Sequence, residues 1–152
     1  MSTWKSGRGL LGPMTPLLGT WVSPPAAQEA RVPMPCTRVF RTFGAGWIEL
    51  EARWEMGARG DYREIAIFGA RPDRVLGFYS FTNDGKRSEG RLADGGDVHA
   101  DAIAFEAEMP AGLARMIYWP LDTGAGFNFA VESRTKKGWN RFLRQEYRPA
   151  TP

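Results

Sequence analysis

Apolar and polar residues alternate along most of the chain, which is the period of β-strands that have one buried and one solvated face. The clearest alternation runs over residues 47–56. One face of this stretch carries Ile48, Leu50, Ala52, Trp54 and Met56, and the other carries Glu49, Glu51, Arg53 and Glu55. The pattern predicts a strand that covers a core with one face and meets solvent with the other.

Comparable stretches recur at short intervals, separated by the glycine, proline, asparagine and aspartate residues that favour turns. Together with the first, they predict ten strands: residues 19–23, 36–43, 47–56, 62–69, 75–82, 86–92, 102–109, 114–121, 126–133 and 139–147. No segment has a helical period over three or more turns. The chain is therefore predicted to be all-β.

Consecutive strands joined by tight turns favour an antiparallel up-and-down sheet. A long, twisted sheet of this kind either closes on itself or splits, and closure removes the edge strands that invite aggregation. We predict a single closed antiparallel up-and-down β-barrel of about eight to ten strands. A two-sheet sandwich is the structural alternative.

The barrel domain is predicted to span residues 14–149, after a flexible leader at 1–13 that shows no period. A short turn or 3₁₀ piece is expected to lay Leu17 and Leu18 across one end of the barrel. Gly19 then allows a tight bend, and Trp21 can turn its indole inward to close that end. Residues 24–35 hold four prolines and no alternation, which predicts a loop.

The motif Gly19-Thr20-Trp21 at the start, the strand meander, and a closing Trp139 and Glu146-Tyr147-Arg148 together resemble the lipocalin-like (calycin) superfamily. More narrowly, the chain is similar to the uncharacterised DUF1579-type domains and the related nitrobindins over residues 14–149. The resemblance implies a lipocalin-like or fatty-acid-binding-like barrel. It also implies a structural latch, in which a basic side chain of the last strand, Arg144 or Arg148, stacks on Trp21.

Nitrobindins bind haem through a histidine late in the barrel, and here no histidine follows His99. His99 lies in an expected turn, where a lone histidine is usually a solvated loop residue. No cluster of His, Cys, Asp and Glu has the spacing of metal ligands. We therefore expect no haem, no other cofactor and no metal.

Charge and cysteine content limit the classes of partner. The 20 basic residues exceed the 17 acidic ones by only three and are spread evenly, so we expect no nucleic-acid and no membrane partner. The only cysteine, Cys36, has no partner for an internal disulfide, and the N-terminal residues lack the apolar run of a secretion signal. A cytoplasmic location is expected.

Candidate ligand contacts come from polar residues on otherwise apolar strand faces. Strict alternation places Arg141, Gln145 and Tyr147 on one face of the last strand, where they can hold a carboxylate or carbonyl if that face points inward. Trp54 and Phe129 are further candidate contacts inside the barrel. Arg38 or Arg41, Arg115 and Asn128 are similar cases, and any buried arginine among them needs a carboxylate or an anionic ligand nearby.

Aromatic residues at adjacent positions, such as Phe78 and Tyr79 or Tyr118 and Trp119, must point to opposite faces of a strand. Some aromatic surface therefore lies outside the barrel. Such surface is typical of an interface, so a homodimer is one expected arrangement.

The sequence patterns that indicate an enzyme are mostly absent from this chain. The chain has no Gly-x-Ser-x-Gly elbow, and the acidic pairs Glu49/Glu51 and Glu106/Glu108 fall on predicted solvated faces. The leading hypothesis is a barrel that binds a small, largely apolar or amphipathic molecule without chemistry. An isomerase or hydrolase that uses the same cavity, and a filled structural or partner-binding barrel, are the alternatives.

Overall fold

The computed structural model describes residues 4, 5 and 7–150, which form one antiparallel sheet with three short 3₁₀ turns. Its strands are β1 (Gly19–Ser23), β2 (Gln28–Ala30), β3 (Cys36–Phe43), β4 (Trp47–Glu55), β5 (Asp61–Ala70), β6 (Leu76–Thr82), β7 (Arg87–Ala93), β8 (Ile103–Met109), β9 (Gly112–Pro120), β10 (Phe127–Thr135) and β11 (Gly138–Pro149). In this described part of the chain, no helix is long and apolar enough to span a membrane.

The sheet closes into a barrel of ten strands. From β3 to β11 each strand pairs with the next in the chain, and β1 pairs with both β3 and β11. The closing contact sets Trp21 opposite Pro149 and Val22 opposite Arg148. The predicted closed up-and-down barrel is confirmed, and the sandwich alternative is wrong because β1 joins the two ends of the sheet.

Alternation and turn residues explain why these strands form. In β4 the predicted inward residues Ile48, Leu50 and Ala52 are buried, and the intervening positions are not. The turn between β6 and β7 places Gly85 at φ +90°, a conformation that L residues other than glycine rarely adopt. Local sequence thus sets both the strands and their hairpins.

One end of the barrel is filled. The 3₁₀ turn Gly12–Leu17 lies where β1 begins, with Met14 and Leu17 fully buried against the barrel core. Trp21 is buried beside them and donates its indole N–H to the Leu17 carbonyl oxygen at 2.7 Å. The β3/β4, β5/β6, β7/β8 and β9/β10 connections lie at this closed end. The predicted positions of the 3₁₀ turn and of Trp21 are confirmed.

The expected leader is partly attached to the barrel. Trp4 packs against the core, and Lys5 Nζ donates to the Ala102 carbonyl at 2.9 Å. Residues 1–3 and 6 of the expected leader lie outside the described residues.

The expected loop at residues 24–35 contains more structure than predicted. A 3₁₀ turn, Pro25–Ala27, leads into the short strand β2, which pairs with Leu143–Gln145 of β11. The prediction of a loop over residues 24–35 is wrong for residues 28–30, because β11 is long enough to pair with β1 at one end and with β2 further along.

A β-bulge interrupts the alternation of β11. Its pairing with β10 runs in register from Tyr147 to Leu143, then skips one residue, so that Arg141 lies opposite Glu132. An extra residue in one strand exchanges the faces of the residues beyond it. Gln145 and Leu143 therefore share a face with Tyr147, whereas Arg141 and Trp139 point to the opposite face.

Aromatic residues occupy both faces, as predicted. Phe78 and Tyr118 are buried inside the barrel, and Tyr79, Phe81 and Trp119 lie on the outer face. Phe81 is exposed, and its cross-strand neighbour Ile65 is exposed as well. The homodimer stays a prediction.

Candidate functional site

A cavity of about 400 Å³ occupies the half of the barrel away from the closed end. It opens at the end where the β4/β5, β6/β7, β8/β9 and β10/β11 hairpins turn. Its walls are mostly apolar and include Trp54, Phe78, Met116 and Val131. Alternation on β4 to β10 points these side chains inward, and a cavity of this size is typical of small-ligand sites.

The cavity mouth is apolar and basic. Met109 and Phe142 line it and are 41% and 55% exposed. Lys86, in the turn before β7, and Arg87, the first residue of β7, line the same rim. The bulge places Phe142 here, so the rim owes part of its apolar surface to the irregularity of β11.

The floor of the cavity holds the carboxylate of Glu64. On β6, Thr82 lies directly opposite Glu64, and the diagonal neighbour Ser80 donates its hydroxyl to Glu64 Oε2. Both residues line the cavity, and Glu64 also lines a smaller chamber of about 30 Å³ further inside. Glu64, Phe78 and Met116 line both spaces, so the chamber adjoins the inner side of the cavity.

Arg38 forms one wall of this inner chamber. Its side chain is buried, its Nη1 donates to the Tyr118 hydroxyl at 2.9 Å, and its guanidinium lies 3.9 Å from the centre of the Phe129 ring. The Arg38 Nε is buried without a hydrogen-bond partner among the described residues. A buried donor is stabilised by an acceptor, and leaving it without one is costly.

Electrostatics keeps this arginine charged. Burial alone lowers the pKa of Arg38, but the hydroxyls of Tyr118 and Tyr147 and the carboxylate of Glu64 raise that pKa above its ordinary value. For Tyr118, burial raises the pKa to about 12, because it disfavours the charged phenolate. The Arg38 charge opposes this shift, and Glu64 reinforces it. Burial also raises the pKa of Tyr147. The barrel interior therefore combines a guanidinium with two neutral phenols.

The raised tyrosine pKa values predict a loss of stability in alkali. An unfolded tyrosine loses its proton near pH 10, whereas folded Tyr118 keeps its proton to about pH 12. The contribution of this protonated phenol to folding stability is therefore complete below about pH 10 and falls above it. We expect the free energy of unfolding of Tyr118→Phe to fall less between about pH 9 and about pH 11 than that of the wild type. Urea titrations measure this, with the outer-face variant Tyr79→Phe as control. If the free energy of unfolding falls equally with pH for all three proteins, the raised pKa of Tyr118 is contradicted.

Two of the predicted ligand residues belong to the packed half of the barrel. Tyr147 is fully buried, stacks on Phe127 and donates to Gln145 Oε1 at 2.8 Å. Gln145 Nε2 in turn lies 3.1 Å from the Cys36 sulfur. Burial raises the pKa of this thiol. These groups satisfy each other and line neither the cavity nor the inner chamber.

Arg141 is not inside the barrel. Its Nε donates to Glu132 at 2.8 Å, and its guanidinium stacks on the outer-face Trp119. The prediction that Arg141 shares a face with Gln145 and Tyr147 is wrong because of the bulge. Of the other candidates, Trp54 lines the cavity and Phe129 lines the inner chamber.

The predicted latch on Trp21 does not form as expected. Arg144 binds Glu29 and Asn128 at 2.9 Å each, and Arg148 donates to the Thr123 carbonyl. Both arginines point outward, since they alternate with inward Tyr147, whereas Trp21 points inward. Trp21 instead packs edge-on against Phe127, with ring centres 5.1 Å apart.

Glu64 was missed by the sequence reasoning, and Arg38 was only one of several candidates. The signal for Arg38 was its position between inward Cys36 and Phe40, with the requirement that a buried arginine needs a nearby carboxylate. Glu64 supplies that carboxylate from β5. His99 lies in the loop between β7 and β8 and accepts from the Asp101 amide. Among the described residues, no group of three His, Cys, Asp or Glu side chains is placed to hold a metal ion.

The fold and the cavity thus define a closed up-and-down β-barrel with a half-filled interior. Neither a scan against models of known protein families nor a search of curated proteins finds a match to this chain.

Proposed function

We propose that this barrel binds a small, largely apolar molecule in its open half, as a lipocalin-like (calycin) protein does. The observation that carries the proposal is the apolar cavity of about 400 Å³ that opens at one end of the barrel. A filled barrel has no such space. Burying apolar ligand surface in it contributes roughly 25 cal/mol per Å².

The distribution of large and small side chains along the barrel supports the proposal of a ligand in the open half. Bulky rings fill the closed half, where Phe40, Phe127 and Tyr118 contact each other, and the strands that surround the open half carry smaller inward residues such as Ser80, Ser133 and Ala114. The same strands therefore serve as core at one end and as ligand wall at the other. The exposed Met109 and Phe142 at the mouth provide an apolar path of entry.

A fluorescent apolar probe tests the proposal. N-phenyl-1-naphthylamine should bind saturably to one site with increased emission. Ala114→Phe, which places a ring in the cavity, should weaken this binding by at least about tenfold. Ala70→Phe, at an exposed position outside the cavity, should leave it unchanged.

Native mass spectrometry of the purified protein complements the probe, because a co-purified ligand adds a discrete mass that disappears on denaturation. Absence of saturable probe binding, or equal binding by the wild type and Ala114→Phe, would contradict the proposed function.

A further inference from the structure

The inner chamber offers a specific place for one polar group of the ligand. Its volume of about 30 Å³ accommodates about one to two water-sized groups. It adjoins the apolar cavity, with which it shares the lining residues Glu64, Phe78 and Met116. The inner end of an elongated ligand in the cavity therefore lies beside the chamber, which has room only for a small head group.

Residues that carry hydrogen-bonding groups of both kinds line this chamber. Arg38 contributes a buried Nε–H that has no acceptor among the described residues. Glu64 contributes a carboxylate, which only accepts hydrogen bonds when ionised, and Ser80 uses part of that capacity. A head group that accepts a hydrogen bond from Arg38 and donates one to Glu64 gives both residues a partner.

The charge of the chamber is already balanced. Arg38 carries one positive charge and Glu64 one negative charge, and the two side chains line the same small space without a direct ion pair in the described residues. A carboxylate head would add a second negative charge beside Glu64, and an ammonium head a second positive charge beside Arg38. Either is unfavourable at low dielectric.

We propose that the ligand carries a neutral head group that both donates and accepts hydrogen bonds, a hydroxyl or a primary amide, and that this head binds between Arg38 and Glu64. The inference rests on the proposed function, since it requires an apolar ligand in the cavity. It differs from the anionic head that internal arginines suggest, because Glu64 already provides the counter-charge.

A series of ligands with the same chain tests the head group. Decanol, decanamide, decanoate and decylamine are used to displace N-phenyl-1-naphthylamine at neutral pH. We expect decanol and decanamide to bind at least about tenfold more tightly than decanoate or decylamine. Any apolar cavity disfavours a charge to some degree, so the deciding measurement is the change in preference caused by Glu64→Gln.

Glu64→Gln leaves the side-chain size almost unchanged and removes the negative charge. Binding of decanoate relative to decanol should then rise by at least about tenfold, because the charge that repels the ligand carboxylate is removed while the Arg38 guanidinium remains. Binding of decylamine relative to decanol should not rise. Glu51→Gln, on the outer face of β4, is the matched control and should leave all ratios unchanged.

The outcomes separate the two proposals. If the probe binds and the ligands displace it, but decanoate matches decanol on the wild type or Glu64→Gln leaves the ratio unchanged, the neutral head is overturned and apolar binding stands. If neither the probe nor any of the four ligands binds, the proposed function itself is wrong.

Discussion

Replacing Trp21 with alanine is expected to destabilise the barrel by about 3–5 kcal/mol, one of the two largest effects predicted for a single substitution in this chain. The indole is 8% exposed, packs edge-on against Phe127 and lies beside the 3₁₀ turn that closes the barrel. Its removal leaves a cavity in the core, beside a strand that is paired with β3 on one side and β11 on the other. Urea unfolding followed by circular dichroism measures the loss.

The hydrogen bond of Trp21 contributes separately from its packing. Trp21→Phe keeps a ring but leaves the buried Leu17 carbonyl without its donor, which costs about 1–3 kcal/mol. Trp47→Ala is the control, since Trp47 is 36% exposed, and its loss should be smaller than that of Trp21→Ala by at least about 2 kcal/mol. A loss below about 1 kcal/mol for Trp21→Ala would show that the closed end does not depend on it.

Gly19 is part of the same arrangement. Its φ of +136° lies in the region that favours glycine, and a Cβ there would stand 3.4 Å from the Trp21 ring. The motif Gly19-Thr20-Trp21 therefore has a local physical reason, a sharp entry into β1 followed by an inward ring. This part of the architecture was predictable because it depends on neighbours in sequence.

The ten predicted strands were also predictable, since alternation and turn residues are local signals. Their closure followed from the cost of leaving edge strands unpaired. The short strand β2 was not predictable, because it depends on the length of β11 and on which part of that strand β1 leaves unpaired. Pairing of this kind is decided by distant parts of the chain.

The candidate site was harder to predict than the fold. In β5 the inward residues Glu64, Ala66 and Phe68 alternate with outward Ile65 and Ile67, so neither face is purely apolar. Sequence alone therefore gave no reason to place Glu64 inside. The role proposed for Glu64 depends on Arg38, which lies on β3, two strands away in the sheet, and lines the same chamber.

The bulge in β11 accounts for the error at Arg141. Both faces of this strand mix polar and apolar residues, so the exchange of faces at residues 141–143 leaves no visible break in the pattern. Face assignments made by counting from Tyr147 hold as far as Leu143 and reverse beyond it. The consequence is that Arg141 joins a charged cluster on the outer face rather than the ligand cavity.

That outer-face cluster gives the second large effect. Glu132 accepts from Arg115 Nε and from Arg141 Nε, each at 2.8 Å, and Arg115 also forms two hydrogen bonds with Asp97 in the loop between β7 and β8. The side chains of Arg115 and Glu132 are 2% and 4% exposed. The cluster therefore fastens the loop to the barrel wall through buried charges.

Glu132→Gln is expected to cost about 3 kcal/mol, because it leaves the buried Arg115 with Asp97 as its only carboxylate partner. Glu51→Gln provides a closely matched control. Glu51 also bridges two arginines on the outer face, Arg41 and Arg63, but its side chain is 36% exposed, so its loss should cost less than about 1 kcal/mol. Urea unfolding at neutral pH compares the two variants.

The double variant Arg115→Met with Glu132→Met separates the value of the charge pair from the cost of breaking it. Apolar side chains of similar size need no partner, so the double variant should be more stable than Glu132→Gln even though it changes more atoms. The exposed Asp97 and the half-buried Arg141 then meet solvent and lose little. If Glu132→Gln and Glu51→Gln cost the same, burial does not govern this cluster, and the loop between β7 and β8 is held by other contacts.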